Sequence, residues 1–420
     1  MAIGKLRLIK LKQQFQENKM STKYPGGFIT KTAPSITPPV GGEGGTAPGI
    51  WTLDQAQWYI AQGTWPLPMK DRQLWSWGYN AQGQLGLGNT TYYSSPKQVG
   101  ALTTWSSITA GSTHTVAIKT DGTLWSWGRN NFGQLGLGNT TYYSSPKQVG
   151  ALTTWLSLAA GYVHTVAIKT DGTLWSWGYN QFGQLGLGNT TSYSSPKQVG
   201  ALTTWSKITA GYRYTLAIKT DGTLWSWGRN QFGQLGLGNV TYYSSPKQVG
   251  ALTTWLSLAA GYVHTVAIKT DGTLWSWGRS DYGQLGLGNT TNYSSPKQVG
   301  ALTTWSKITA GRNHTVAVKT DGTLWSWGWN YYGQLGQGNT TNNSSPKQVG
   351  ALTTWSKITA GGYHTVAIKT DGTLWSWGYN GNGQLGLGNT TQYNSPKQVG
   401  ALTTWLSITA GFYHTVAIKS

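Results

Sequence analysis

Residues 105–154 read WSSITAGSTHTVAIKTDGTLWSWGRNNFGQLGLGNTTYYSSPKQVGALTT. Ser106 to Ala110 is a short strand-forming run around Ile108. His114 to Lys119 alternates, with Thr115, Ala117 and Lys119 on one side and Val116 and Ile118 on the other. Asp121-Gly122 follows, a pair that favours the positive φ of a tight hairpin turn. Thr123 to Trp127 returns as a third strand. Gly128 to Pro146 is a glycine-rich loop, Lys147 to Val149 a fourth short strand, and Gly150 to Thr154 leads onward. Four short antiparallel strands in one such unit describe a propeller blade.

The unit recurs. Seven nearly superimposable blocks of 50 residues run from Asp71 to Ser420, and a fixed period of this length marks a repeat architecture rather than separate domains. The chain enters on Leu74–Trp77, which lacks its His-Thr-Val partner, and leaves on His414–Lys419, which lacks its Leu-Trp-Ser-Trp partner. Joined, the two ends complete a blade and remove the open edges that invite aggregation. The expected fold is all-β: a seven-bladed β-propeller closed by pairing of its N- and C-terminal repeat strands, with a short, mostly extended N-terminal arm.

Composition narrows the function. The 420 residues include 59 Gly, 25 Trp and 23 Tyr but no Cys, which excludes a disulfide framework, a zinc ribbon and thiol chemistry. No stretch approaches the ~18 uninterrupted apolar residues of a membrane-spanning helix. The net charge is +20, from 31 Lys+Arg against 11 Asp+Glu, spread thinly along the chain. Such an excess favours acidic partners.

The recurring Ile-Thr-Ala-Gly-x-x-His-Thr-Val-Ala-Ile, then Asp-Gly-x-Leu-x-x-Trp-Gly-x-Asn and Gly-Gln-Leu-Gly-x-Gly, resembles the regulator-of-chromosome-condensation repeat over residues 71–420. The resemblance implies a seven-bladed propeller. Kelch repeats share the period, but their double glycine does not recur here. The loop glycines Gly128, Gly133, Gly136 and Gly138 are followed by no Gly-Lys-Ser/Thr and no helix, so they read as turn formers rather than a phosphate loop.

Each unit carries three tryptophans, such as Trp125, Trp127 and Trp155, placed in or beside strands at core spacing. That placement points to packing between blades rather than to a stacking platform for sugars or bases. A histidine recurs at 114, 164, 264, 314, 364 and 414, with Tyr214 in its place once. The only acid shared by the units is the turn aspartate, seven residues on, about 23 Å along a strand. No nucleophile–base–acid set follows, and one tolerated tyrosine favours a structural imidazole bonding backbone between strands. No enzyme activity, cofactor or metal is expected.

Differences among the copies gather in three clusters. The first follows Trp-Gly and supplies Tyr79, Gln82, Arg129, Phe132, Tyr179, Phe182, Arg229, Phe232, Arg279, Tyr282, Trp329, Tyr331, Tyr332 and Tyr379. The second lies between Ala-Gly and His and supplies Tyr162, Tyr212, Arg213, Tyr262, Arg312, Tyr363, Phe412 and Tyr413. The third is in the Asn-Thr-Thr loop, at Tyr92, Ser192, Asn292, Asn342 and Gln392. Strand parity puts all three on one face, with the Asp-Gly turns on the other, which reads as nearly constant. Aromatics and Arg as anchors with small polar adapters are the palette of recognition surfaces. Seven Lys97-type lysines and five arginines, set against Asp281, give this face an expected excess of eleven positive charges. An anionic ligand would gain avidity over many similar weak sites.

In front of the repeats, residues 1–19 form a basic segment, with Met20 as an alternative start. Residues 20–50 are a Pro/Gly-rich arm without a core. Residues 51–70 form a connector with an expected short helix over 53–62, capped by Thr52 and Gln55. Phe28, Trp51, Trp58, Tyr59 and Trp65 are its candidate attachment residues. The segment resembles N-terminal parts of structural proteins of marine tailed bacteriophages, which implies a virion-attached protein. The resulting expectation is a binding propeller displayed on a virion. Its arm would hold virion proteins, and its variable face would hold a host surface polysaccharide or protein. Nucleic acid is not the expected partner. Two rivals are a purely structural capsid or tail decoration, and a guanine-nucleotide exchange or chromatin-binding protein. The second would need a protruding element on one blade, and the equal units carry none.

Overall fold

The structure, a computed structural model, describes residues 71–420. The basic segment, the arm, the connector helix and its attachment residues lie outside the described residues. All regular elements described are strands. Strands β1 (Gln73–Gly78) and β2 (Tyr93–Gln98) come first, then β3 (Trp105–Ala110), β4 (His114–Lys119), β5 (Leu124–Gly128) and β6 (Tyr143–Gln148). The last four recur at each period, ending with β27 (Trp405–Ala410) and β28 (His414–Lys419). Blade 1 is β3–β6, and blades 2 to 6 are the equivalent strands from Trp155, Trp205, Trp255, Trp305 and Trp355. Blade 7 is ordered β2-β1-β28-β27, so the two chain ends close the ring. The closing pair is full length, from Gln73 opposite Lys419 to Gly78 opposite His414.

The fourth strand differs from expectation. It starts at Tyr143, not Lys147, and so contains Pro146. Proline is tolerated there because the strand is the outermost of its blade and needs no donor on its solvent side. A register shift between Ser126 and Gly128 absorbs the misfit against β5. The lysines before its end move accordingly. Lys147 pairs with Ser126 partway down the blade and is exposed on the outer rim. The seven Lys97-type lysines therefore leave the variable face. Its expected excess of eleven falls to four, the five arginines against Asp281.

The core lies in the seven seams rather than at one centre. One seam collects Leu74, Val99, Val416 and Ile418 from blade 7 with Trp105, Ala117 and Trp127 from blade 1. Trp127 is fully buried and donates from Nε1 to the Gln84 carbonyl across the seam, at 2.9 Å. Trp105 meets Trp125 and Trp127 edge-on, with centroids 6.2 and 6.0 Å apart. Burying one such indole contributes on the order of 2–3 kcal/mol. Trp125 is half-buried, bonds Thr123 Oγ1, and lies under the Lys119 ammonium at 3.7 Å. The tryptophans thus pack and brace the blades.

Thr115 also donates to the Gln84 carbonyl, at 2.8 Å, so the loop of one blade clips the next. Gly136 shows why that loop needs glycine. Its φ is +75°, and a Cβ there would sit 2.7 Å from Trp177 Nε1. Within the loop, Asn130 donates to the Asn139 carbonyl and accepts from Leu135 N. The loop framework is thereby fixed independently of the side chains at 129, 131 and 132.

Candidate recognition face

Backbone bonds show that the first two variable clusters share a face. Arg129 N donates to Thr113 O, Tyr79 N to Tyr413 O and Tyr179 N to Val163 O. The third cluster precedes β2 and its equivalents, whose first residue pairs with the glycine ending the first cluster's strand, as Tyr93 does with Gly78. The parity argument therefore holds in the structure. The opposite face carries the Asp-Gly turns and the entry point Asp71, whose neighbour Arg72 donates to Thr103 O.

That second face is not wholly constant. At the matching end of the inner strands, Ser106 is replaced by Leu156, Leu256 and Leu406, and Ser107 by Lys207, Lys307 and Lys357. Each of these lysines donates to a carbonyl of the next blade. This fourth set of differences was readable in the sequence, and it was hidden there by its position inside a strand.

Around the axis, the seven inner-ring positions are Ser112, Tyr162, Tyr212, Tyr262, Arg312, Gly362 and Phe412. Tyr212 and Tyr262 stack at 3.9 Å. Tyr162 meets Tyr212 at 4.6 Å and Phe412 at 5.8 Å. These rings roof the axial channel, which leaves about 90 Å³ among Ala110, Gly111 and their equivalents. The roof is lopsided because Ser112 and Gly362 are small. A Cβ on Gly362 would sit 2.7 Å from Phe412 O and 2.9 Å from its ring.

Over that sector opens a depression of about 480 Å³. It brings together nine expected residues: Tyr79, Arg129, Tyr162, Tyr262, Arg312, Tyr363, Tyr379, Phe412 and Tyr413. Ser112, Thr113 and Asn382 line it too. These three were visible as variable positions but lacked the aromatic or charged character that singled out the others. Arg312 sits over three rings, Tyr262 at 5.3 Å, Tyr363 at 5.1 Å and Phe412 at 5.6 Å. Arg129 is held by Asn131 Oδ1 at 2.8 Å. No acid lines the depression. Burial raises the pKa of the Tyr262 and Tyr413 hydroxyls, so both stay neutral donors.

The remaining expected residues fall outside the depression. Arg213 lies over Tyr179, Phe182 and Tyr212 at 5.1, 4.8 and 4.6 Å, and Arg229 approaches Phe182 and Tyr212 at 5.7 Å each. Tyr179 is only 7% exposed, packs on Phe132, and donates to Gln181 Oε1. It supports this cation–aromatic stack from beneath. Arg279 lies over Phe232 and forms the one ion pair among the described residues, with Asp281. Gln82 is half-buried and its backbone N–H bonds the Gln84 side chain. Tyr282, Trp329, Tyr331 and Tyr332 form an aromatic group on blades 4 and 5 that packs against Tyr363 and Tyr379 at the edge of the depression.

The histidines form a closed girdle beneath this face. Nε2 of His114 meets Thr165 Oγ1 at 3.2 Å, and the pattern runs round to His414 and Thr115 at 3.3 Å. The partner is thus a threonine side chain of the next blade, not backbone as expected. Each threonine proton goes to a carbonyl, as from Thr165 to Gln134 O. The imidazole must therefore donate from Nε2, which leaves Nδ1 as a bare lone pair. Only Tyr214 bonds backbone, donating to His264 O at 2.5 Å and Gly261 O at 3.2 Å. Burial lowers the six histidines to about 3. A neutral, fully buried ring is no general acid or base for a ligand outside.

The regulator of chromosome condensation (RCC1) repeat model matches residues 71–118, 121–168, 171–218, 221–268, 271–318, 321–368 and 371–418. No curated protein matches the sequence. Among solved structures, human WBSCR16 is similar with a TM-score of 0.76 at 22% identity, over 83% of this chain and 99% of that one. Prp20p from Saccharomyces cerevisiae, in a study of its binding to Gsp1p and histones, gives 0.75 at 22% identity over 83% and 92%. At these identities the likeness establishes the fold. With seven matched repeats spanning all the described blades, the chain belongs to the RCC1-repeat family.

Proposed function

We propose that this protein is a non-catalytic binding module that takes one anionic group of a surface glycan in the off-axis depression of its variable face. The observation that carries the reading is that the depression opens at Ser112, a small member of the inner ring, with Arg129 and Arg312 in its lining. The face thus favours a single asymmetric site over seven equivalent weak ones. Its volume lies within the ~300–1,000 Å³ of small-ligand sites. Arg129 and Arg312 supply charge that no lining acid cancels, and the tyrosines offer rigid stacking surfaces with neutral hydroxyls. A cationic face also repels basic partners, so the histone binding studied for Prp20p does not carry over to it. Display on a phage particle, as part of the same proposal, rests on the resemblance of the N-terminal segment.

The test is titration of the full chain with carboxylated and sulfated oligosaccharides across a salt series. Arg312→Ala is expected to weaken binding about tenfold and flatten the salt dependence. Ser112→Tyr, which copies the inner-ring residue of blade 2, is expected to fill the site and abolish binding without loss of fold. Binding that survives both substitutions sinks the proposal.

A further inference from the structure

Blade 5 departs from the other six in a concerted way. Its first loop reads Trp329-Asn330-Tyr331-Tyr332, and Trp329 stands where three blades have arginine. Gln337 replaces a leucine found in all other copies, and Asn343 replaces a tyrosine found in all others. The two changes compensate each other. Asn343 Nδ2 donates to Gln337 Oε1 at 2.6 Å, and Gln337 Nε2 donates to Ser326 O and Oγ at 3.1 and 3.0 Å. In the other blades the tyrosine hydroxyl accepts from an asparagine instead, as Tyr143 does from Asn139. Residues 329–343 contain no charged side chain.

This uncharged loop presents two parallel aromatic rings. The Trp329 and Tyr331 planes are within 10° of parallel, with centroids 6.1 Å apart. Tyr331 is 66% exposed, the largest value among the large apolar and aromatic side chains of the described residues. Trp329 is locked from behind by Tyr332 at 5.5 Å, Tyr363 at 5.5 Å and Tyr282 at 5.7 Å. Beside them, exposed Asn342 spends its Oδ1 on Asn330 N, the residue between the two rings, at 2.8 Å. Its Nδ2 stays free to donate outward. Trp329, Tyr331 and Asn342 do not line the depression described above, and Tyr363 stands between the two.

We propose that Trp329, Tyr331 and Asn342 form a second site on the variable face, for a neutral hexopyranose. A pyranose offers one face of C–H groups, which packs on an aromatic ring, and equatorial hydroxyls at its edge, which pair with an amide. The absence of charge selects neutral rings over the anionic groups assigned to the depression. The inference shares with that reading only the premise that this face binds sugars.

The experiment uses the full chain and three neutral probes, maltohexaose, cellohexaose and mannohexaose, read by calorimetric titration at low and high salt. At least one is expected to bind, with no salt dependence. Tyr331→Ser and Trp329→Arg are each expected to weaken that binding about tenfold or more. Arg312→Ala is expected to leave it unchanged while weakening the anionic ligand. Tyr331 is exposed, so its replacement does not threaten the fold. The proposal is overturned if none of the three binds, if binding survives both substitutions, or if Arg312→Ala removes it.

Discussion

At the scale of single residues, the chain contains its own controls. Six loops use asparagine at the position of Asn130, and each accepts a bond from the backbone of the leucine five residues on. The seventh has Ser280, whose hydroxyl donates only to the Asn289 carbonyl, at 3.5 Å. Ser280→Asn should restore the missing bond to Leu285 N and raise stability by about 1 kcal/mol, measured by denaturant unfolding. No gain would mean that the loop is held by its glycines alone. Residue-level reading of the sequence succeeded where a side chain answers to its own strand, as with the buried tryptophans. It failed for the histidines, because their threonine partners sit on the next blade, 51 residues on.

At the scale of strands, closure depends on β1 against β28, the only blade assembled from both chain ends. Removing β28 leaves blade 7 with β27 unpaired to β1 and two seams open. A chain ending at Gly411 is expected to lose its single cooperative unfolding transition and to aggregate through its free edges; a sharp melt like that of the full chain would disprove the closure argument. The strand pattern was legible because alternation and Asp-Gly turns are local signals. The start of β6 was not, since Pro146 signals a loop until its place at a blade's edge is known.

At the scale of the molecule, the histidine girdle ties stability to pH. The six rings stay neutral in the folded state down to about 3, while unfolded histidine binds a proton near pH ~6.5. The unfolded chain therefore binds more protons between these values, and stability falls as pH drops through that window. Each histidine contributes up to about 1.4 kcal/mol per pH unit there. Unfolding at pH 7 and pH 5 should show a large loss, and His164→Tyr, copying Tyr214, should reduce the slope. Equal stability at both values would contradict the burial. The candidate site was legible in part at this scale. Comparing copies exposed which positions vary, and parity gave their face. The depression itself opens at Ser112, whose meaning appears only when seven loops meet around one axis. The rim position of the Lys97-type residues likewise follows from strand register, which composition does not record.

The loop framework and the seams are nearly the same in every unit, while the side chains over them differ. Adjacent units share long stretches of identical sequence, so a loop from one unit fits the frame of another. Copying one unit's loop onto another, without gain or loss of a unit, would carry that loop to a new ring position while keeping blade number and closure. The order of Ser, Tyr, Arg, Gly and Phe around the axis is then a heritable arrangement that can be reshuffled in whole units. A population could move its small-residue gap, and with it the depression, around the ring without passing through an unfolded ancestor.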